Sequence, residues 1–299
     1  MRFVWIHRHR EEFPVNAMCG VLKVSRSGYY ATLGRPPSAR RARREELVVK
    51  IKESHAQSRG TYGSPRVWED LKANHVKVSR RTVEKYMREE GVAARPPRRF
   101  VPATTDARHD RPVADNLLNR EFTRIEPNTG WVSDITYIPT AEGWLFLAVV
   151  IDLFSRRVVG HATAENLKAG LALDALEMAL TGRSLAGAGL LHHSDRGVQY
   201  LSIRYTERLA DAGIELSVGS RGDAYDNALA ETVIGLFKTE VIRRRGPWRS
   251  LEAVEFATLE WVDWFNHRRL LELIGCVPPA ECEARYYEQA AEQKRYDYG

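Results

Sequence analysis

Three acidic residues stand where the chain could build a metal-dependent active site: Asp134, Asp195 and Glu231. Asp134 interrupts the apolar-rich run from Trp131 to Ile138, where an unpaired buried carboxylate would be costly. Asp195 follows a second short apolar run by two residues, and Glu231 lies near the start of a helical segment. Converging carboxylates suit hard divalent cations and leave coordination positions open for phosphate oxygens. We therefore expect these acids to hold one or two divalent ions for phosphoryl chemistry.

Each acid also has an ordinary structural interpretation. Asp195 could cap the helix after it, and Glu231 could be a surface residue at a helix N-terminus. Further candidates for the same site are Asp152, Asp223, Asp226 and Asn227. A zinc site is a separate alternative, although its spacing matches no common ligand pattern and a fourth ligand is missing; its members would be His267, Cys276 and Cys282.

A change of hydrophobic period near residue 130 predicts the elements that carry these acids. Short β-rich runs followed by alternating helical and strand-like runs give the order β-β-β-α-β-α-β-α. This order implies an α/β domain with a mixed sheet flanked by helices. Neighbouring first and fourth strands would place Asp134 and Asp195 close together. The helix expected over Ala228 to Arg243 carries both Glu231 and Lys238, two turns apart on one face.

The first third of the chain is basic and helical in pattern. Residues 1–110 hold 24 Lys and Arg against 12 Asp and Glu, whereas residues 111–299 hold 21 against 27. Two helix-turn-helix candidates occur there, over residues 1–34 and 45–95, and Pro/Arg-rich stretches after each are expected linkers. The excess positive charge suits a polyanion such as DNA, because neutralised phosphates release counterions.

The second helix-turn-helix candidate is the better marked. Ser64 is expected to cap its first helix, with Pro65 at the first helical position, and Ser79 to cap its second. The basic side chains expected at DNA are Arg26 in the first candidate and Arg66, Arg80, Arg81 and Lys85 in the second. On periodicity alone, a helical hairpin with a solvated basic face explains the pattern about as well.

The overall composition is that of a globular protein. The chain has 299 residues, of which 43% are hydrophobic and 28% charged, so we expect two or three domains. The longest apolar run, Trp144 to Ile151, is far shorter than the roughly 20 residues of a membrane-spanning helix, and we see no signal peptide. Three scattered cysteines without a CxxC pair predict no disulfide framework. We expect a cytoplasmic protein.

The spacing of the acids leads to a resemblance. Asp195 and Glu231 are separated by 35 residues, and Lys238 lies seven residues after Glu231. This resembles the DD(35)E plus Lys/Arg signature of the retroviral-integrase superfamily. Sequence words around the acids narrow it to the OrfB-type transposases of the IS-three family of bacterial insertion sequences. These words are Ser133–Ile138, Val150–Arg157, His193–Gly197 with Gln199–Tyr200, and Tyr225–Ala228. Segments nearer the two ends of the chain also resemble that family: Ser25–Tyr30, Arg59–Val67, Trp264–Asn266, Gly275 and Pro279–Glu281.

The resemblance implies an RNase H-like catalytic domain over residues 111–285, including a C-terminal tail. It implies metal-dependent cleavage and strand transfer at insertion-sequence ends. The three acids would hold two Mg²⁺ or Mn²⁺ ions. Lys238 would contact DNA near the site. The resemblance also implies partners for the protein: the terminal repeats, target DNA, further copies of the chain on DNA, and an OrfA frameshift-fusion partner. Such a protein would be nucleoid-associated.

Two departures and two rival functions accompany this resemblance. Leu271 stands where the family often has a histidine, and Cys19 is the only cysteine before residue 276, so the zinc-binding N-terminal module of retroviral integrases is missing. A nuclease that cuts without joining is the rival among enzymes. A DNA-binding regulator is the rival outside them, and the complete set of three acids argues against it.

Overall fold

The computed structural model describes residues 2–34, 38–94, 114–185, 189–219 and 227–297. The strands are β1 (Gly130–Thr140), β2 (Gly143–Asp152), β3 (Val158–Ala164), β4 (Leu191–Ser194) and β5 (Glu215–Val218). The helices are α1 (Arg2–Arg8), α2 (Val15–Val21), α3 (Arg26–Gly34), α4 (Ala39–Gln57), α5 (Ser64–Ala73), α6 (Arg80–Glu89), α7 (Ala169–Thr181), α8 (Ile203–Asp211), α9 (Ala228–Phe237), α10 (Arg243–Arg245), α11 (Leu251–His267) and α12 (Pro279–Asp297). A π-helical turn (Lys238–Ile242) joins α9 to α10, and a 3-10 turn (Glu272–Ile274) lies between α11 and α12.

The strands form a mixed sheet in the order β3-β2-β1-β4-β5. Strands β1, β2 and β3 are antiparallel neighbours, whereas β4 pairs in parallel with β1 and β5 in parallel with β4. The element order from β1 to α9 is the one predicted from the sequence, and the first and fourth strands are neighbours as expected. The prediction of an RNase H-like fold preceded by helical segments is confirmed.

Helices cover both faces of this sheet. Side chains alternate along a strand, so successive residues of β1 meet different helices. On one face Val132 and Ile138 pack in a cluster with Phe237 of α9 and with side chains of α11. On the other face Trp131 packs with Leu176 of α7 and with side chains of α8. Packing on both faces therefore positions β1, which contains Asp134, and β4, which ends just before Asp195.

A second core lies between α4, α5 and α6. Its buried members are Ile51, Tyr62, Val67, Leu71, Val83 and Met87. Ser79 caps α6 as predicted, since its Oγ accepts the Thr82 N–H at 3.2 Å. The predicted cap by Ser64 is wrong, because α5 begins at Ser64 itself and Gly63 is the N-cap, with no side-chain capping bond. The extended backbone of Gly63 starts the helix one residue earlier than expected.

Part of the first expected linker is helical. Residues 39–44 form the first turns of α4, which extends the second helical domain forward from its expected start at residue 45. The Ser38 side chain caps this helix, and Arg41 pairs with Glu45 one turn later at 2.9 Å. These local interactions outweigh the linker-like composition of the segment. The second expected linker, residues 95–112, lies outside the described residues.

The first helical segment has its own small core. Its buried members are Ile6, Met18, Cys19 and Tyr29. Ser25 lies before α3 and caps it, since its Oγ accepts the Gly28 N–H at 3.0 Å. Helix α1 was not predicted from the sequence, and its Ile6 completes the core.

The α4–α6 domain packs against α11 and the segment after it. The Tyr62 hydroxyl accepts the Leu270 N–H at 2.7 Å and donates to the Arg268 carbonyl oxygen at 3.1 Å. Arg59 pairs with Glu260 of α11 at 3.2 Å. Within the described residues, no helix combines the length and apolar character needed to cross a bilayer.

Candidate active site

The parallel pairing of β1 with β4 brings Asp134 and Asp195 together. The last residue pair of this ladder is Ser133 opposite Ser194. Asp134 and Asp195 are each the next residue along, so they leave the ladder side by side on strands about 5 Å apart. Asp195 had been expected two residues beyond its strand, and β4 in fact runs one residue further than predicted.

Glu231 lies on the first turn of α9, near enough to Asp134 and Asp195 for their charges to interact. The start of this helix is attached to β1, because the Asn227 side-chain amide donates to the Ser133 carbonyl oxygen at 3.0 Å. Ser133 directly precedes Asp134 in the strand. A single hydrogen bond therefore ties the helix start that bears Glu231 to the strand position that bears Asp134.

Backbone N–H groups orient two of the acids. One oxygen of Asp134 accepts the Ile135 N–H at 2.8 Å, and one oxygen of Asp195 accepts the Gly197 N–H at 2.9 Å. A Cβ at position 197 would lie 2.9 Å from that same Asp195 oxygen, so only glycine allows this approach without a shift. The HSDRG sequence word thus contains a residue that holds Asp195 in place.

The acids influence one another electrostatically. Burial raises the pKa of Asp134 well above its usual range, and the nearby charges of Asp195 and Glu231 raise it further. Burial also raises the pKa of Glu231, as does the Asp195 carboxylate. Like charges gathered in a partly buried place disfavour ionisation unless a cation compensates them. These shifts are typical of functional sites.

Lys238 lies at the other end of α9, where the regular helix gives way to the π-helical turn. Burial lowers the pKa of this ammonium group, while the Asp134 carboxylate acts to raise it. Its Nζ lies over the Tyr137 ring, 5.2 Å from the ring centroid. The helix is regular from Glu231 to Phe237, so the expected two-turn offset from Glu231 holds. The expected continuation to Arg243 as one α-helix is wrong, because the π-helical turn intervenes.

A buried polar chain behind the acids was missed at the sequence level. His192 Nε2 lies 2.8 Å from Ser133 Oγ and 3.0 Å from the Tyr205 hydroxyl. His193 Nδ1 lies 2.8 Å from Ser217 Oγ of β5. Both histidines are fully buried in β4. Two successive histidines inside an apolar strand were the available signal, since buried polar groups need partners.

Asp152, a secondary candidate for the site, is surrounded by backbone N–H groups that donate to its carboxylate. It is fully buried, and one oxygen accepts the Asn128 N–H at 2.8 Å. The other accepts the N–H groups of Phe154 and Ser155, both at 3.0 Å. A carboxylate with these bonds organises the turn after β2 and has little capacity left for a metal. Of the other secondary candidates, Asn227 makes the bond to Ser133, and Asp223 and Asp226 lie outside the described residues.

No three or more His, Cys, Asp and Glu side chains among the described residues form a preassembled metal cluster. The zinc alternative is therefore wrong: its members stay apart, and the His267 ring instead contacts Asp263. The same finding covers Asp134, Asp195 and Glu231, which interact electrostatically but do not form a preassembled group of metal ligands.

The expected DNA contacts have different surroundings. Arg26 lies exposed at the start of α3, and Arg80, Arg81 and Lys85 lie exposed on α6. Arg66 is only partly exposed, and burial together with the charge of Arg269 lowers the pKa of its guanidinium. Arg66 thus faces the segment after α11, unlike the other four cations.

Family models match most of the chain. A model described as an integrase core domain matches residues 125–224, and a second with that description matches residues 212–279. A model described as a helix-turn-helix-like domain matches residues 42–100. The matches cover the mixed sheet, the helices on it and the α4–α6 domain.

Several curated proteins are similar over nearly their whole length. A protein of Mycobacterium tuberculosis strain H37Ra, assigned as the transposase of insertion sequence element IS986/IS6110, is 44% identical; the match covers 90% of this chain and 98% of that protein. The transposase of element IS629 from Shigella sonnei is 39% identical, with 93% and 94% covered. Transposase InsF of IS3A from Escherichia coli K12 is also 39% identical, with 81% and 84% covered.

Among solved structures, the HTLV-2 integrase catalytic core domain in complex with magnesium matches 53% of this chain and 98% of its own, at 18% identity and a TM-score of 0.42. The sequence relatives decide the family, because their identity extends through both the α4–α6 domain and the sheet domain. The chain belongs to the IS3-type DDE transposases, enzymes of DNA transposition and integration.

Proposed function

We propose that Asp134, Asp195 and Glu231 are the catalytic acids of this transposase and that they hold two Mg²⁺ or Mn²⁺ ions. The supporting observation is that two neighbouring parallel strands and one helix start bring the three acids within electrostatic range of one another. Burial raises the pKa of Asp134 and the charges of the other two acids raise it further, so the site favours a bound counter-charge.

The donor set fits such ions. DDE transposases and integrases generally use divalent metal ions, and carboxylate oxygens are the ligands that Mg²⁺ and Mn²⁺ prefer. When bound, the ions would supply electrophilic stabilisation of the phosphate and of the departing oxygen. The protein's own part is to hold the three carboxylates at fixed positions, through the N–H groups of Ile135 and Gly197 and the amide of Asn227.

The reaction transfers phosphodiester bonds in two steps. In the first, a water oxygen bonds to phosphorus, and the 3′-oxygen at the element end leaves and takes up a proton. In the second, that 3′-hydroxyl loses its proton, its oxygen bonds to a target phosphorus, and a 3′-oxygen of the target leaves. No covalent link to the protein is required. Lys238, beside Asp134, would bind a phosphate of the engaged strand.

DNA recognition belongs in this proposal to the helical domains. The protein has three domains. They are residues 1–34, residues 45–95 together with the start of α4 from residue 39, and residues 111–285, which include the C-terminal tail. Exposed cations on α6, Arg80, Arg81 and Lys85, would lie against the terminal repeat, with Arg26 as a further contact. Several copies would assemble on DNA, with an OrfA fusion as a further partner and the nucleoid as location.

The triad is tested with Asp134→Asn, Asp195→Asn and Glu231→Gln in the full chain. Each variant should lose cleavage and joining of a duplex that bears the element's terminal repeat, because each removes a ligand charge, while DNA affinity stays within about threefold of wild type. Asp174→Asn, on the exposed side of α7, is the matched control and should keep full activity. Near-wild-type cleavage by any of the three variants in Mg²⁺ or Mn²⁺ would remove that residue from the site.

A further inference from the structure

Two large aromatic side chains lie exposed next to each other on the β1–β2 hairpin. Tyr137 is 46% exposed and Trp144 is 53% exposed. Tyr137 is paired with Phe146 and Trp144 with Pro139, so the two rings are diagonal neighbours on one face of the hairpin. Their centroids are 5.3 Å apart, and the rings meet edge to face at 82°. Much of the Trp144 indole thereby remains open to solvent.

This aromatic pair lies close to the three acids. Tyr137 follows Asp134 by three residues in the same strand, roughly 10 Å along the backbone, and alternation sends the two side chains to opposite faces of β1, so Lys238 is the residue that connects them. The Lys238 ammonium lies over the Tyr137 ring, 5.2 Å from its centroid, and also interacts with Asp134. One cation therefore links the acids to the aromatic pair.

A cation beside an exposed aromatic surface matches the two parts of a nucleotide. The phosphate pairs with the ammonium group, and the base stacks on the ring. Inside a duplex both faces of a base are already stacked, so only an unpaired base can use such a surface. At a rise of 3.4 Å per nucleotide, roughly 10 Å corresponds to about three nucleotides along a strand.

We propose that Tyr137 and Trp144 form a stacking surface for one unpaired base of the DNA strand engaged by the acids, within about three nucleotides of the cleaved bond. The proposal rests on the proposed active site, which defines where that strand lies. Trp144 supplies the open stacking face, and Tyr137 holds the indole edge-on and Lys238 at the neighbouring phosphate. Stacking of this kind offsets part of the cost of opening the last base pairs of the element end.

The surface is tested by combining protein variants with abasic DNA. Binding is measured with full-length protein carrying Asp134→Asn, which blocks chemistry, and with duplexes whose base is removed at one position at a time near the cleaved bond. Trp144→Ala should weaken binding about 5- to 100-fold, as for loss of one stacked base. At one abasic position the same variant should cause no further loss, because the interaction is already gone.

Matched variants separate stacking from folding. Trp144→Phe and Tyr137→Phe keep an aromatic face and should stay near the parent protein, whereas Tyr137→Ala should resemble Trp144→Ala. Tyr287→Ala removes an aromatic of similar exposure, 50%, from α12 and should change nothing. Losses that simply multiply at every abasic position, or equal losses for the Phe and Ala variants, would overturn the proposal.

The same measurement stays interpretable if the proposed active site is wrong. Binding requires no chemistry, so the comparison of Trp144→Ala with abasic DNA reports on stacking even if the Asp134→Asn protein still cleaves. Cleavage by that protein would refute the role of Asp134 alone. A strictly additive pattern with a cleavage-dead protein would refute the stacking surface alone.

Discussion

Asp134 is held at an energetic cost in metal-free buffer. Its pKa is raised by burial and by two neighbouring acids, so its charged form is disfavoured in the folded protein relative to the unfolded chain. A raised pKa of this kind contributes stability at low pH and loses it as pH rises through the folded-state pKa. The residue therefore opposes folding at neutral pH, as functional residues often do.

Replacing Asp134 by Asn should consequently stabilise the protein in EDTA at pH 7, because the like-charge repulsion is removed. Mg²⁺ at 100 times its dissociation constant should increase the free energy of unfolding of the wild type by about 2.7 kcal/mol, which raises its melting temperature. The melting temperature of the variant should rise much less. Differential scanning calorimetry with and without Mg²⁺ measures both effects. An equal Mg²⁺-dependent rise in both proteins would contradict the assignment of Asp134 as a ligand.

His192 gives the stability a pH dependence of opposite sign. Burial lowers the pKa of this histidine and the neighbouring His193 adds to the effect, and together they bring it to about 3. The unfolded chain binds this proton below about pH 6.5, whereas the folded chain refuses it until near pH 3. Stability from this group is therefore present above about pH 6.5 and falls between those values.

Urea unfolding at pH 7 and pH 5 should show this loss, up to about 1.4 kcal/mol per pH unit below the unfolded pKa. His192→Gln should be less stable at pH 7, because the bonds to Ser133 and Tyr205 change, yet lose less stability on acidification. His267→Gln, on the exposed end of α11, is the control and should keep the wild-type slope. Identical slopes for all three proteins would show that His192 is not the titrating group.

At the scale of elements, the start and the end of α9 have different roles. The Asn227 amide fixes the start of the helix to β1, and thereby sets where Glu231 lies relative to Asp134. At the other end the helix changes to a π-helical turn at Lys238. Such turns occur often at functional sites. In the same turn the Glu240 carboxylate pairs with the buried Arg269 and accepts the Trp261 indole N–H at 2.9 Å.

Asn227→Ala should lower the rate of cleavage by the folded protein, because the helix start that bears Glu231 loses its attachment. Asn266 is a matched control, since its side chain also bonds backbone groups, the N–H and carbonyl of Val158. Asn266→Ala should cost about 1–3 kcal/mol of stability but leave the rate per folded molecule unchanged. The measurement is single-turnover cleavage below the melting transition. Equal rates for both variants would make Asn227 merely structural.

At the scale of the whole molecule, the α4–α6 domain lies against α11 and the following segment. Tyr62 bonds the backbone at Arg268 and Leu270, and Arg66 lies near Arg269. Tyr62 and Arg66 are therefore engaged in contacts within the protein. Arg80 and Arg81 at the start of α6 are exposed, so a DNA backbone can approach them.

The double variant Arg80→Ala with Arg81→Ala should weaken DNA binding by the full chain at all sequences. Its dependence on salt should be shallower by about two counterions, because two phosphate contacts are lost. Arg285→Ala on α12 removes an exposed arginine that already pairs with Glu281 and serves as the control. Titrations at several salt concentrations measure the slope. A double variant with the wild-type slope would place the main phosphate contacts elsewhere.

The sequence by itself determined the element order of the sheet domain and the identity of the candidate acids. The period of the hydrophobic residues distinguishes strands from helices locally. The 35-residue spacing from Asp195 to Glu231 can be counted directly in the sequence. The cap at Ser79 was predictable for the same reason, since capping depends on residues within one turn.

Only the tertiary structure decided which polar residues meet. Asp152 ends β2 and Asp134 lies within β1, yet backbone N–H groups from the following turn and from Asn128 satisfy Asp152, while Asp134 interacts with the charges of two further acids. The pairing of Tyr137 with Trp144 depends likewise on strand register, and the attachment of α9 depends on a bond between residues 94 positions apart. Such contacts join distant parts of the chain, and local sequence patterns carry no information about strand neighbours or helix docking. The sequence therefore names the candidate acids, and the packing of β1, β4 and α9 brings their charges within range of one another.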